Sequence, residues 1–213
     1  MIKNPYVLVT HNSDLSITKT FSSFLNEPKL LRWFGVNIFF KHPKLCPIPS
    51  GIASQNRPYG NISIWSKKMG LPQSKRVFKI YMNFNPRTHP VRGELLKMFE
   101  NNPLFYRSEK KELEDYIEDL KSFQFVLCPR GVSLDCHRIW EALYMGAIPI
   151  VLTSQLDPLL EGLPVIILDR WEDLTYDNLI RAYEHIQNKP QNKNKLFASH
   201  WYHLLNLYKS NQP

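Results

Sequence analysis

The chain has 213 residues, of which 43% are hydrophobic and 22% charged, proportions ordinary for a globular protein with one substantial core or two small lobes. No run approaches the ~20 apolar residues of a membrane span, and the opening "MIKNPYVLVTHNSD" is too short in apolar residues for a secretory leader. Three cysteines, Cys46, Cys128 and Cys136, are an odd count that fits free thiols in a reducing compartment better than a disulfide framework, so a soluble, cytoplasmic chain or domain is expected.

The formal charge of +8 is unevenly placed. Residues 1–75 hold ten Lys and Arg against Asp14 and Glu27, whereas residues 76–213 hold 17 of each sign. A basic first third points to an anionic partner: a phosphorylated donor, an acidic glycan, a membrane surface or nucleic acid. No nucleic-acid reading motif or interleaved basic and aromatic platform accompanies the charge, so nucleic acid is not expected.

In chain order, "YVLVT" reads as a strand ending in the turn "HNSD". A helical stretch "TKTFSSFLNEPKLLRWFG" follows, interrupted at Pro28 and closed by Gly35, and "VNIFF" reads as the next strand. "KHPKLCPIPSGIASQNRPYGN" is a rigid proline-rich loop, and "ISIWSKKMG" a short helix ending at Gly70. From residue 76 the pattern becomes regular. "RVFKIYMNF", "QFVLC", "IPIVL" and "PVIIL" read as strands alternating with helical segments. One of these, "KKELEDYIEDLKSF", carries apolar residues at 113, 116, 117 and 120. Alternation of this kind predicts an α/β protein with a doubly wound parallel sheet. Its ligands bind beyond the carboxyl ends of the strands, which here means the loops at 84–92 and 128–135. The sequence has no G-x-G-x-x-G, no G-x-x-x-x-G-K-[ST] and no D-x-D. The spacing of Cys128, Cys136 and His137 matches no common zinc pattern, so no metal site is expected.

The segment "FVLCPRGVSLDCHRIWEALYMGAIPIVL", residues 125–152, places four charged residues between two apolar runs. Ser133 is a candidate N-cap for a helix starting near Leu134, and Gly131 allows close backbone approach. Such a helix start, flanked by Arg130 and Arg138, suits a phosphate. Glu141 would lie ~10 Å further along the helix, where a carboxylate can accept from ribose hydroxyls. The same residues also fit a salt-bridged helix, with Asp135/Arg138 and Arg138/Glu141 as i,i+3 pairs. In the loop after "RVFKIYMNF", Arg87 and Arg92 face the same expected cleft and can contact a diphosphate. At the end of the first strand, His11 and Asp14 are candidates for a general base, although Asn-Ser-Asp is also an ordinary turn sequence.

This segment resembles the C-terminal signature of exostosin-like glycosyltransferases, which runs C-P-R-G, then D-x-x-R-x-W-E-A-L, then G-x-I-P-I-V. "LVTHNSD", "HPKLCPIPSGIA" and "YMNFNPRTHPVR" resemble further family segments in the same order, so the similarity runs from residue 6 to 152. The resemblance implies a GT-B-type fold, with residues 1–75 as a short acceptor-side lobe and 76–213 as a Rossmann-like lobe whose last helix crosses back. It implies transfer of a sugar from a nucleotide-sugar, UDP-linked first, to a glycan or glycoprotein acceptor, with the nucleotide-sugar as substrate and no separate cofactor. Arg130, Gly131, Asp135, Arg138 and Glu141 fall on its donor-binding signature. One departure stands out: the family often has Asn-Gly where this chain has Val132-Ser133. A GDP-fucose-dependent enzyme and a non-catalytic glycan-binding module of the same fold remain open. The basic first lobe also leaves room for peripheral membrane contact.

Overall fold

The computed structural model describes residues 2–69 and 75–210, the last two as backbone only. It contains two parallel sheets. The first comprises β1 (Tyr6–Thr10), β2 (Leu30–Gly35) and β3 (Leu45–Pro47), paired in that order.

This first sheet corrects the reading of residues 18–40. The expected long helix shrinks to a 3-10 turn at Lys19–Phe21 and α1 (Ser22–Leu25), and its second half is strand β2. Pro28 stops the helix. Beyond it, "LLRWFG" is buried on both faces: Leu30 and Trp33 pack with Ile17, Leu25 and Leu45, while Phe34 joins Val36 and Ile48 on the other side. Continuous burial is the signature of a parallel strand rather than of an amphipathic helix. "VNIFF" lies beyond the strand end, where Asn37 adopts φ +56° and breaks the extended backbone. Only Ile38 pairs there, through an isolated bridge to Ile17.

The second sheet has β4 (Val77–Met82), β5 (Phe105–Arg107), β6 (Phe123–Leu127), β7 (Ile148–Leu152) and β8 (Ile166–Leu168). Their order is β5-β4-β6-β7-β8, all parallel. Counted within the lobe this is 2-1-3-4-5, a doubly wound order whose switch point falls between β4 and β6. Alternate strand residues serve opposite faces. Tyr81, Phe123 and Val126 pack with α4 (Leu113–Ser122) and α5 (His137–Tyr144). Ile80, Phe125, Leu127 and Ile150 pack with α3 (Pro90–Met98) and α7 (Tyr176–Gln187). Leu113, Tyr116, Ile117 and Leu120 are all buried, as the helical spacing predicts. A buried tryptophan removes about 150–250 Å² from water, so Trp65 and Trp140 each contribute roughly 4–6 kcal/mol gross to this core.

Two segments cross between the sheets. α2 (Ile62–Lys68) follows the proline-rich loop and inserts Trp65 against Tyr116, so packing continuous with the second lobe begins well before residue 75. The expected end of this helix at Gly70 lies outside the described residues. α6 (Asp157–Leu160) follows β7 and buries Leu159 and Leu160 in the core on the α4 and α5 face. α8 (Ala198–Ser210) returns to the first sheet, where Trp201, Leu204, Leu205 and Tyr208 cover Phe34, Val36 and Ile48.

Candidate functional site

The carboxyl ends of both sheets face one cleft of about 510 Å³. The first lobe contributes residues 11–14 after β1, Asn37 after β2, and Ser50 with residues 52–54 and 57–59 after β3. The second contributes Arg92, Lys110, Gly131–Ser133, Asp135–Arg138 and Glu141. The two loops at the second sheet's switch point thus meet the three loops of the first sheet, as the topology dictates.

Arg92 sits at the base of the cleft, almost fully buried. Its Nε donates to the Arg130 carbonyl at 2.9 Å and its Nη2 to the Pro129 carbonyl at 3.0 Å. Its guanidinium also packs on the ring of Phe84, 5.5 Å from the centroid. Burial pulls its pKa down, and the neighbouring Arg138 charge adds to the effect. The expected diphosphate contact is therefore replaced, for at least two of its donors, by a brace under the C-P-R-G loop. Gly131 belongs to the same arrangement. A Cβ built there would stand 3.0 Å from Arg92 Nη2, so the close approach that the glycine permits is to Arg92.

Arg87 and Arg130 do not line the cleft. Arg87 is exposed on the 3-10 turn Pro86–Thr88. Arg130 turns away, with Nη2 donating to the Val132 carbonyl at 3.2 Å and the guanidinium 5.6 Å from the Phe39 ring centroid. It borders a second, more apolar cavity of about 350 Å³, shared with His89, Leu134, Ile139 and Trp171.

The helix α5 begins at His137, with Cys136 at its N-cap and no side-chain capping bond, which corrects the start expected near Leu134 and the cap expected at Ser133. The cause is the seam between the lobes. Asp135 N–H donates to Asn37 Oδ1, and Asp135 Oδ2 accepts from Ser50 N–H at 2.7 Å. These bonds hold residue 135 outside the helix. Asp135 Oδ1 accepts from Trp140 Nε1 at 2.7 Å, so both carboxylate oxygens have protein partners. Burial pushes its carboxyl up to about 6, against the opposing pull of the Ser50 and Trp140 hydrogen bonds. Ser133 reaches across the seam, its hydroxyl donating to Asp14 Oδ1 at 2.6 Å.

Arg138 and Glu141 both line the cleft from α5. With the helix starting at His137, Glu141 is only ~6 Å along it, nearer than the ~10 Å expected. Glu141 Oε2 accepts from the buried Tyr116 hydroxyl at 2.8 Å, and Oε1 has no protein hydrogen bond among the described residues. Burial raises its pKa, while the Arg138 charge and the Tyr116 bond oppose that rise. Arg138 packs 5.9 Å from the Phe84 centroid, and its Nε is buried with no hydrogen-bond partner. The ion pairs found among the described residues all lie elsewhere, so the salt-bridged helix is not formed at 135, 138 and 141. An unpaired guanidinium beside a half-free carboxylate is a site for a ligand bearing both negative charge and hydroxyl donors.

His11 Nε2 contacts the Pro49 carbonyl at 2.9 Å, and His137 Nδ1 contacts that of Gly51 at 2.8 Å. Both imidazoles are thereby anchored to the turn after β3. The sequence reading passed over Asn37, Ser50, Tyr116 and Lys110. Asn37 carried a usable signal, since asparagine tolerates positive φ where a strand would not. Tyr116 did not, because a tyrosine on an amphipathic stripe reads as core. Among the described residues, no three His, Cys, Asp or Glu side chains are grouped as metal ligands would be.

Two parallel sheets facing one another across such a cleft, with the last helix returning to the first lobe, define an α/β protein of GT-B-like architecture. Residues 41–185 match the exostosin GT47 domain, and the chain belongs to that family. It is 29% identical over 133 residues to the mouse (Mus musculus) ribitol-5-phosphate xylosyltransferase 1, covering 51% of this chain and 30% of the relative. It is 32% identical over 85 residues to a probable glucuronosyltransferase of Oryza sativa subsp. japonica, covering 39% of this chain and 19% of the relative. The matched region thus spans less than a third of either relative. A solved glycosyltransferase from Rickettsia africae aligns over 96% of this chain and 71% of its own, at 12% identity and a TM-score of 0.40, too distant a likeness to argue from.

Proposed function

We propose that this chain transfers a sugar from a nucleotide-sugar donor, UDP-linked in the first instance, to a hydroxyl of a glycan or glycoprotein acceptor, without a metal ion. The observation that carries the reading is Arg138, a guanidinium facing the cleft whose buried Nε has no hydrogen-bond partner. A donor phosphate meets the cleft side of that guanidinium and supplies the counter-charge it lacks. Glu141 Oε1 accepts from the ribose hydroxyls, with Oε2 held by Tyr116. Gly131 and Asp135 shape this seat rather than touch the donor. Arg92 braces it from below, and Arg87 and Arg130 stand outside it. His11, tied to Pro49, positions the β1 loop, and Asp14 on the same loop is the base that takes the acceptor proton.

Family membership supports sugar transfer, as do the two relatives, one named for xylose transfer to ribitol-5-phosphate and the other for glucuronosyl transfer. The basic first lobe suits an anionic acceptor, and it is also the side on which contact with an anionic membrane surface would fall. No helix among the described residues is long and apolar enough to cross a membrane.

Calorimetry with UDP and GDP tests the donor seat. UDP is expected to bind more tightly than GDP, and Glu141→Gln to weaken UDP about 10- to 100-fold, since a charge-assisted hydrogen bond contributes roughly 1.5–3 kcal/mol. Tighter GDP binding would move the donor assignment to a GDP-sugar. Absence of binding by either nucleotide would end the proposal.

A further inference from the structure

The bond from Ser133 to Asp14 joins residues 119 apart in the chain and opposite walls of the cleft. Local structure does not require it. Ser133 caps no helix, because α5 starts four residues later, yet the side chain is buried to 8% exposure with its hydroxyl aimed out of its own lobe. Asp14 is exposed on the loop after β1, and this is the hydrogen bond its carboxylate makes, leaving Oδ2 without a protein partner among the described residues. Neighbouring polar groups on that loop are otherwise engaged: His11 with Pro49, Asn12 with Ser54, and the Ser13 carbonyl with Asn37 Nδ2. Asp14 is therefore the side chain of this loop that is fixed from the opposite wall of the cleft, while His11, its Nε2 donating to Pro49, keeps Nδ1 as a second acceptor on the loop.

We infer that Ser133 is a positioning residue for the acceptor half of the reaction, aiming Asp14 across the cleft from within the donor loop. This rests on the functional reading above. Asp14 Oδ2 takes the proton of the acceptor hydroxyl as that oxygen bonds to the anomeric carbon. The bond from that carbon to the phosphate oxygen breaks, and its electron pair leaves with the nucleoside diphosphate. The Ser133 hydroxyl keeps its own proton throughout and fixes Oδ1, so that Oδ2 has one direction in which to act. Such a device is needed on an exposed loop, where a free aspartate samples several rotamers and a misplacement of about 1 Å costs roughly 100-fold in rate.

The test compares wild type, Ser133→Ala, Ser133→Thr, Asp14→Asn and the Ser133→Ala/Asp14→Asn double variant, by UDP calorimetry and by turnover of the UDP-sugar that wild type uses. Ser133→Ala is expected to lower kcat about 10- to 100-fold with UDP affinity and donor KM within twofold of wild type. Ser133→Thr, which keeps the hydroxyl, restores kcat to within about threefold. Asp14→Asn lowers kcat about 100- to 10,000-fold, and the double variant is no slower, because the two residues act as one unit. A tenfold loss of UDP affinity in Ser133→Ala would make the hydroxyl a donor contact and overturn the inference, as would an unchanged kcat. A wild-type protein that turns over no nucleotide-sugar would remove both this inference and the functional reading. Wild-type turnover unaffected by Ser133→Ala would remove the inference alone.

Discussion

Arg92 shows how a residue's neighbours can replace the role its type suggests. An arginine in the first turn of the helix after a strand, near a phosphate site, reads as an anion contact, but its Nε and Nη2 are taken by the Arg130 and Pro129 carbonyls. A lysine offers one compact ammonium in place of that planar fork. Arg92→Lys is expected to leave at least one buried carbonyl unpaired and to cost about 1–3 kcal/mol in thermal or denaturant unfolding. Unchanged stability would show that the brace is dispensable. Glu141 carried a readable position and a hidden partner. That it lies on a helix was legible, but its distance from the helix start was not, and the Tyr116 hydroxyl that holds it depends on how α4 packs against α5, which no local pattern encodes. For the same reason Gln is the informative substitution at 141, because Ala would leave the Tyr116 hydroxyl buried and unpaired.

At the scale of elements, α4 and β6 were legible because their own periodicity and apolar content decide them. β2 was not. "LLRWFG" has no alternation, and a fully buried parallel strand cannot be told from a helix by pattern alone. The start of α5 was misplaced for a different reason: its first-turn candidates are claimed by bonds to the other lobe before a helical bond forms. Its end was fixed locally. Gly146 lies at φ +77°, with its N–H bonded to the Leu143 carbonyl and that of Ala147 to the Ala142 carbonyl, a complete left-handed helix stop. Gly146→Ala is expected to lower stability by about 1 kcal/mol while leaving UDP affinity within twofold, since the residue is outside the cleft. A variant as stable as wild type would contradict the left-handed stop.

Across the whole molecule, the lobes meet through a polar seam centred on Asp135, and this gives the fold a pH signature. The carboxyl is pushed up to about 6 from an ordinary 3.8. Below about pH 4 the folded and unfolded carboxyls are both protonated. Between about 4 and 6 the unfolded one ionises first, so the stability contributed by the protonated group is lost as pH rises through that window, on the order of 1–3 kcal/mol in total. Asp135→Asn should flatten this part of the stability profile, read as the difference in Tm between the two proteins from pH 4 to 7. Equal slopes would place the titration elsewhere. Neither this seam nor its partners Asn37 and Ser50 were legible in the sequence, because they lie 98 and 85 residues from Asp135. A different long-range dependence follows from α8. The Phe34, Val36 and Ile48 face of the first sheet is covered only when residues 201–208 arrive. During synthesis that apolar face therefore stays uncovered until residues 201–208 have left the ribosome, so the first sheet depends for its cover on a segment made after the whole of the second sheet described above.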